Sequence, residues 1–215
     1  MRAAQRLVMV AAVGAGFGAL DSAVNAASSP YSAIGGRLAG TGWATLLRFL
    51  SFVLDAGWAW AALAVAAGCS VGGRARSAVA GGIVLVAAAT FYYGADSWFL
   101  DESYSLFLPE LRNWVVAGVI LGALLGLVGA KIGRRGVVGL IAGLVVPVGA
   151  AVQMLVMPPG LGGANVSAEA VWARWIVWVA AAMTAVLVLA RHIAGRRIEA
   201  NASGGLQDDA SLAPY

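Results

Sequence analysis

The sequence contains one cysteine, Cys69, one histidine, His192, and one lysine, Lys131. A single cysteine excludes a disulfide framework and a CxxC redox pair, and a single histidine excludes zinc or haem ligation by two imidazoles of the same chain. Charged residues make up only 11% of the chain, compared with roughly 25% in soluble domains. Any chemistry must therefore come from carboxylates, arginines, amides and aromatic rings, and the sequence predicts no metal and no organic cofactor.

Apolar residues take the place of the missing charges. They make up 61% of the 215 residues, and the mean hydropathy is +0.85. Six stretches reach the roughly 20 residues that a membrane-spanning helix needs; they are 7–27, 44–68, 77–98, 113–131, 136–157 and 171–191. None alternates with period two, and an open sheet cannot satisfy its backbone in lipid. We therefore predict an all-α transmembrane domain of six helices over residues 1–197, followed by a polar, disordered tail over 198–215.

The basic residues indicate how these spans are oriented. Ten of the 14 lie in segments on one side of the predicted topology: Arg2, Arg6, Arg74, Arg76, Lys131, Arg134, Arg135, Arg191, Arg196 and Arg197. The positive-inside rule then predicts that both termini are cytoplasmic. Because the charges lie at span ends, the basic pI predicts no nucleic-acid partner. Segment 97–112 is too short and too charged to span but carries many apolar side chains, so we expect it to form an interfacial lid on the outer side.

The composition also suggests where the protein resides. Abundant Ala, Gly and Val with a single lysine suggest a GC-rich bacterial genome, and hence a multi-pass protein of a bacterial plasma membrane. The first 26 residues also fit a cleavable signal peptide, an alternative that leaves the remaining topology unchanged. Glycines at helical spacing, namely Gly118, Gly122, Gly126 and Gly129, predict close helix packing.

Polar residues inside the spans are the main functional signal. A charge at the bilayer centre costs roughly 2.5–3.5 kcal/mol on insertion scales, so ionisable residues there are candidates for function. Asp55 is predicted near the middle of the second span, and helical spacing places Arg48, Ser51, Phe52 and Trp58 on or beside its face. Asp96 ends the third span one turn after Tyr92 and Tyr93. Asp21, Gln153 and Arg174 are also predicted in the outer half of the membrane.

Structural interpretations of these residues remain open. Asp55 and Arg48 could form an ion pair two turns apart, Asp21 and Asp96 could be interfacial residues that contact water, and tryptophans at span ends are typical of the aromatic belt.

A buried acid beside aromatic rings also permits catalysis. Apolar surroundings favour the protonated form of a carboxylic acid, which can protonate an epoxide or alkene, and aromatic faces stabilise the resulting carbocation by roughly 2 kcal/mol or more. The predicted catalytic residues are Asp55 as general acid, with Asp96 or Glu102 accepting the final proton. The predicted substrate-binding residues are Arg48, Phe52, Trp58, Tyr92, Tyr93, Gln153, Trp175 and Trp178.

The acid near tryptophan in LDAGWAW and the acid in YYGAD, set in a small helical membrane protein, resemble the membrane-bound terpene cyclases of fungal meroterpenoid and bacterial indole-terpenoid or drimane-type pathways. The resemblance implies proton-initiated cyclisation of a lipophilic prenyl or epoxyprenyl substrate. It departs in the span count, since the fungal proteins have seven. The layout also looks like uncharacterised actinobacterial six-helix membrane proteins, which imply no function.

A transport function is the alternative. Substrate-capture subunits of vitamin transporters are also six-helix proteins of about this size, and Arg37, Arg48, Arg112 and Arg174 near the outer side would suit an anionic or vitamin-like solute. A structural or immunity protein without a ligand is a third class, and the sequence is compatible with a homo-oligomer surrounded by membrane lipids. The chain has no GxSG, paired DxxD or HExxH motif of other membrane enzymes.

Overall fold

The computed structural model describes residues 3–161 and 166–211, with side chains to residue 196, and all regular structure within these ranges is helical. The helices are α1 (Ala3–Ser28), α2 (Ala33–Leu38), α3 (Gly42–Leu54), α4 (Gly57–Val71), α5 (Arg74–Phe99), α6 (Leu108–Gly129), α7 (Val137–Val156) and α8 (Ala168–Ser211), with a 3₁₀ turn at Tyr104–Phe107 before α6.

Five stretches of the described chain, the 3₁₀ turn counted with α6, are long and apolar enough to cross a membrane, and α3 with α4 forms a sixth if the bent pair is one span. This confirms an all-helical protein that is suited to crossing a membrane several times. Arg6, Arg74 and Lys131 lie at helix ends on one side of the bundle, which we call the basic end. The opposite side, where α5 joins α6, carries Glu102 and Glu110 and is called the acidic end.

The second span is not the continuous helix that was predicted over 44–68. Helix α3 ends at Leu54, α4 begins at Gly57, and the two axes differ by 59°. Asp55 caps α3, and Ala56 has an extended backbone with ψ of 134°. Aspartate and glycine are both weak helix formers, and Asp side chains favour helix ends. The predicted face that joined Arg48 and Phe52 to Trp58 is therefore wrong, because it assumed regular helix across the break.

Helices α1, α4, α5 and α6 pack through glycine at very short distances. A Cβ on Gly18 of α1 would overlap the carbonyl oxygen of Ala88 in α5, and a Cβ on Gly81 would overlap that of Gly122 in α6. The predicted close packing is confirmed at Gly122, Gly126 and Gly129, because a Cβ added to any of them would overlap backbone atoms of α5 or α4. Without side chains between them, the backbones gain van der Waals contact that larger residues would prevent.

Helices α7 and α8 form a second group that packs against α3 and α4. Its buried contacts are formed by Ala150, Met154, Val177 and Ala181, with Trp58 of α4 packed against them. The broken span therefore joins the two groups, because α4 belongs to the glycine-packed helices while α3 contacts α8 and α4 contacts α7.

The predicted lid is shorter than segment 97–112. Helix α5 continues to Phe99, and α6 starts at Leu108, earlier than the predicted residue 113. Pro109 stands at the start of α6 and Glu110 in its first turn, where a fixed φ and a negative charge both favour a helix N-terminus. The connection at the acidic end is thus confined to residues 100–107.

The last helix runs to Ser211, which differs from the disorder predicted for 198–215. The backbone from Ala168 to Ser211 contains no proline that would end the helix. Residues 212–215 and the side chains beyond 196 lie outside the described part, so disorder there stays a prediction.

Candidate functional site

A polar cluster joins α1 to α5 inside the acidic half of the bundle. Ser22 Oγ donates a hydrogen bond of 2.8 Å to Asp96 Oδ1, and Asn25 Nδ2 donates one of 3.0 Å to the hydroxyl oxygen of Tyr92. Ser22 has no exposed surface. Because polar side chains surrounded by apolar helices are costly unless paired, these two bonds fix the relative rotation of α1 and α5 at this level.

Asp21 is the most buried charged residue of the described chain, with 0% of its surface exposed. Its Oδ2 accepts a hydrogen bond of 3.3 Å from the indole Nε1 of Trp60 in α4, whereas Oδ1 is buried without a partner. The interpretation of Asp21 as an interfacial residue that contacts water is therefore wrong. Helix α1 continues to Ser28, two turns beyond Asp21, and α4 and α5 cover this position.

Asp55 lies at the break between α3 and α4, and its side chain is exposed there. It is close enough to Asp21 and Asp96 for direct electrostatic interaction. Arg48, its proposed ion-pair partner, interacts instead with Glu169 at the start of α8. We call Asp21, Asp55 and Asp96 the acid group. Of the three, Asp55 lies at the α3–α4 break.

Five aromatic rings run from α1 to the 3₁₀ turn beside the acid group, and we call them the aromatic row. They are Phe17, Trp60, Tyr92, Tyr93 and Phe107, with successive centroid distances of 5.5, 6.2, 5.3 and 5.9 Å. Most of these pairs are edge-to-face, the arrangement that the ring quadrupoles favour. Trp60 of the row bonds Asp21, and Tyr92 lies within electrostatic range of all three acids, so rings of the kind that stabilise cations lie beside the acid group.

On the other side of the break, Gln153 of α7 reaches α4. Its Oε1 accepts a hydrogen bond of 2.9 Å from the backbone N–H of Trp58, in the first turn of α4. The Trp58 ring packs against the α7–α8 contacts beside Trp178, and its Nε1 is buried without a partner. The predicted residues Trp58, Gln153 and Trp178 are therefore brought together, but around α7 rather than around Asp96.

The remaining predicted residues are more dispersed. Arg48 and Phe52 are half-buried on α3, and Glu102 is exposed in the α5–α6 connection, where it interacts electrostatically with Asp96. Trp175 is 62% exposed and lies on the outer surface of α8. Tyr92, Tyr93 and Asp96 form the centre of the site together with residues of α1.

Sequence reasoning left Ser22 and Asn25 out of the candidate site. The signal that could have identified them is their spacing: Asp21, Ser22 and Asn25 are the polar residues of an otherwise apolar stretch, and Asp21 and Asn25 are one helical turn apart. Glu110 was assigned to the outer loop, but its Oε2 accepts a bond of 3.4 Å from the Tyr93 hydroxyl.

An open apolar groove of about 450 Å³ adjoins the cluster between α1 and α5. Its walls include Ala19, one turn before Ser22, and Ala95, the neighbour of Asp96, with Phe91 and Trp98 towards its rim. A lipophilic molecule in the bilayer would meet this groove from the side.

No three His, Cys, Asp or Glu side chains in the described ranges converge on a point that could hold a metal ion. Comparison with known proteins adds no assignment: no family model, curated protein or solved structure matches the chain.

Proposed function

We propose that the chain is a membrane-embedded cyclase that protonates a lipophilic prenyl or epoxyprenyl substrate and so starts its cyclisation. The observation that carries the proposal is the acid group itself. Three carboxyl groups from α1, α5 and the α3–α4 break lie within electrostatic range of one another beside the aromatic row. Repulsion between neighbouring carboxylates favours a state in which one of them keeps its proton.

The three acids suit different roles. Asp55 is exposed at the break, and its carboxyl group makes no hydrogen bond to the described residues, so it can approach a substrate and donate the proton. Asp96 is held by Ser22 and lies beside the lateral groove, where it can accept the proton that leaves carbon after ring closure. Asp21 has no exposed surface, so it acts through Trp60 as a positioning residue.

The reaction balances without a cofactor. The acid proton adds to the epoxide oxygen, whose C–O bond breaks, or to the terminal alkene carbon, whose π bond breaks. The π electrons of the neighbouring alkene then form a carbon–carbon bond to the electron-poor carbon, and the last cation loses a C–H proton to a carboxylate. The product is an isomer of the substrate. In this reaction Trp60 and Tyr92, which lie beside the acid group, stabilise the intermediate cation, and the apolar surroundings limit its quenching by water.

The test uses membranes that contain the chain, incubated with terminally epoxidised farnesyl or geranylgeranyl conjugates. We expect cyclised products of unchanged mass from the wild type. Asp55→Asn should express well and lose about 100-fold or more in rate, because an amide cannot donate a proton as a carboxylic acid does. The control is Asp101→Asn, an exposed acid in the α5–α6 connection, which should keep wild-type activity. Asp96→Asn should be inactive or release altered products.

A transport function is the second candidate, and the broken second span favours it. Helix breaks inside a membrane expose backbone groups that bind ions or substrates in several transporter folds. If no isomeric product forms and a water-soluble anion binds the purified chain in an Asp55-dependent manner, the transport proposal replaces the cyclase.

A further inference from the structure

A second site lies at the basic end, opposite the acid group. A cavity of about 430 Å³ lies between the α6–α7 turn and α8. Its ionisable lining residues are Arg134, Arg135, Arg191, His192 and Arg196, and no acidic side chain of the described residues lines it. We call it the arginine pocket.

The sequence Gly133-Arg134-Arg135-Gly136 builds one wall of the pocket. Gly133 and Gly136 have φ of 88° and 82°, a left-handed conformation that glycine adopts without strain. Gly139 lies so close to the carbonyl of Arg134 that a Cβ there would overlap it. The Gly133–Gly136 segment therefore packs directly against the start of α7. This contact holds Arg134 and Arg135 at the N-terminus of that helix.

The N-terminus of α7 adds to the positive potential. Gly136 provides no side chain to cap it, and the first turn contains no acidic residue. The unpaired N–H groups of that turn favour an anion. Beside the pocket, the pKa of Lys131 is lowered from its ordinary value by desolvation and by the neighbouring charges of Arg134 and Arg74. Several positive charges of the described residues thus lie within electrostatic range of one another beside the pocket.

The opposite wall and the floor are partly apolar. Leu140 and Val188 line the pocket together with the arginines of α8. A ligand that fits this surface has an anionic group for the guanidinium groups and an apolar part that continues along α7 and α8.

We propose that the arginine pocket binds the phosphate of an anionic phospholipid headgroup from the adjoining leaflet. Guanidinium groups bind phosphate oxygens in pairs of parallel hydrogen bonds, and the α7 N-terminus contributes N–H groups to the same anion. Basic pockets between transmembrane helices are suited to such headgroups. The site is independent of the proposed cyclase activity.

The test measures lipid binding to the purified full-length chain in detergent by native mass spectrometry, with phosphatidylglycerol and phosphatidylcholine as probes. The wild type should bind phosphatidylglycerol more tightly. The double variant Arg134→Gln/Arg191→Gln should lose about 25-fold in affinity for phosphatidylglycerol, because each arginine that contacts the headgroup contributes about fivefold. The control Arg74→Gln/Arg76→Gln removes the same charge from exposed positions of the same end and should lose less than about threefold.

Equal losses of phosphatidylglycerol affinity in both double variants would contradict the proposal, because the lipid would then respond to the overall charge of the basic end and not to the arginine pocket. Equal binding of the two lipids to the wild type would also overturn it. Inorganic diphosphate distinguishes the source of the phosphate: it has no apolar part to contact Leu140 and Val188, so we expect it to displace phosphatidylglycerol only in large excess. Arginine-dependent binding of diphosphate without phosphatidylglycerol binding would replace the lipid with a soluble phosphate. If the double variant does not fold, the single variant Arg196→Gln, at an exposed position of the pocket, is measured for phosphatidylglycerol binding in its place.

Discussion

Asp21 shows how one residue can decide the packing of three helices. It lies on α1, accepts a hydrogen bond from Trp60 of α4, and is followed by Ser22, which binds Asp96 of α5. Removal of the acceptor would leave the indole N–H of Trp60 unpaired within the bundle, which is more costly than the loss of a hydrogen bond at a surface.

We therefore expect Asp21→Leu to destabilise the purified protein by about 1–3 kcal/mol, whereas Asp21→Asn, which retains an oxygen acceptor, should change its stability little. Thermal unfolding in detergent, followed by tryptophan fluorescence, measures both. Glu102→Leu, at an exposed acid of the α5–α6 connection, is the control. Equal destabilisation by the Leu and Asn variants of Asp21 would show that the Trp60 bond does not stabilise the bundle.

Residue-level expectations from the sequence were only partly realised. Tyr92, Tyr93 and Asp96 could be grouped because they share one short segment of one helix. Trp60 and Asp21 are 39 residues apart, and their contact depends on how α1 and α4 pack, which a single sequence does not specify. Trp175 was predicted to bind substrate together with Trp178, which lies about one turn further along α8 and near the same face, yet 62% of Trp175 is exposed.

At the level of elements, α1 offers two glycines with opposite surroundings. Gly18 touches the backbone of Ala88 in α5, whereas a Cβ on Gly16 would meet no atom within 4 Å. Alanine is the better helix former by about 1 kcal/mol, so the same substitution should have opposite signs at the two positions.

Gly18→Ala should lower the unfolding temperature, because the helices must separate to accept the methyl group, at a cost of about 1–3 kcal/mol. Gly16→Ala should leave it unchanged or raise it. Both are measured by the detergent unfolding assay. A stabilising Gly18→Ala would contradict the close α1–α5 contact.

The break between α3 and α4 depends on α7 for one of its backbone hydrogen bonds. Gln153→Leu removes the acceptor of the Trp58 N–H and should destabilise the protein by about 1–3 kcal/mol. Thr184→Val is the control, because its hydroxyl bonds only the carbonyl of Ala180 in its own helix. Similar unfolding temperatures for the two variants would show that the N–H at the break finds another partner.

For the whole molecule, hydropathy was sufficient to locate the five long apolar helices of the described chain and the bent α3–α4 pair, because burial in lipid requires a long apolar stretch. It could not locate the bend in the second span, since Asp55 and Gly57 interrupt the helix without lowering the hydropathy of the stretch enough to divide it. The short helix α2 was not predicted either, because six residues carry too weak a periodic signal.

The orientation of the bundle in the membrane can be tested with reporters fused at its two ends. A fluorescent protein fused after Arg197 should be bright, and alkaline phosphatase at the same point should be inactive, because the positive-inside rule predicts that the basic end faces the cytoplasm. The same reporters inserted after Asp101 should give the reverse pattern. Phosphatase activity after Arg197 would invert the bundle and move the arginine pocket to the outer leaflet.

The bond between Gln153 and Trp58 also bears on how the chain is made. The two residues are 95 positions apart, so α3 and α4 leave the ribosome and reach the translocon long before α7 exists. During that interval the N–H of Trp58 must be paired by water or by the insertion machinery, because lipid offers no acceptor. The second span is therefore expected to enter the bilayer fully only after the fifth has been synthesised, and nascent chains that stop before α7 should remain accessible to quality-control proteases.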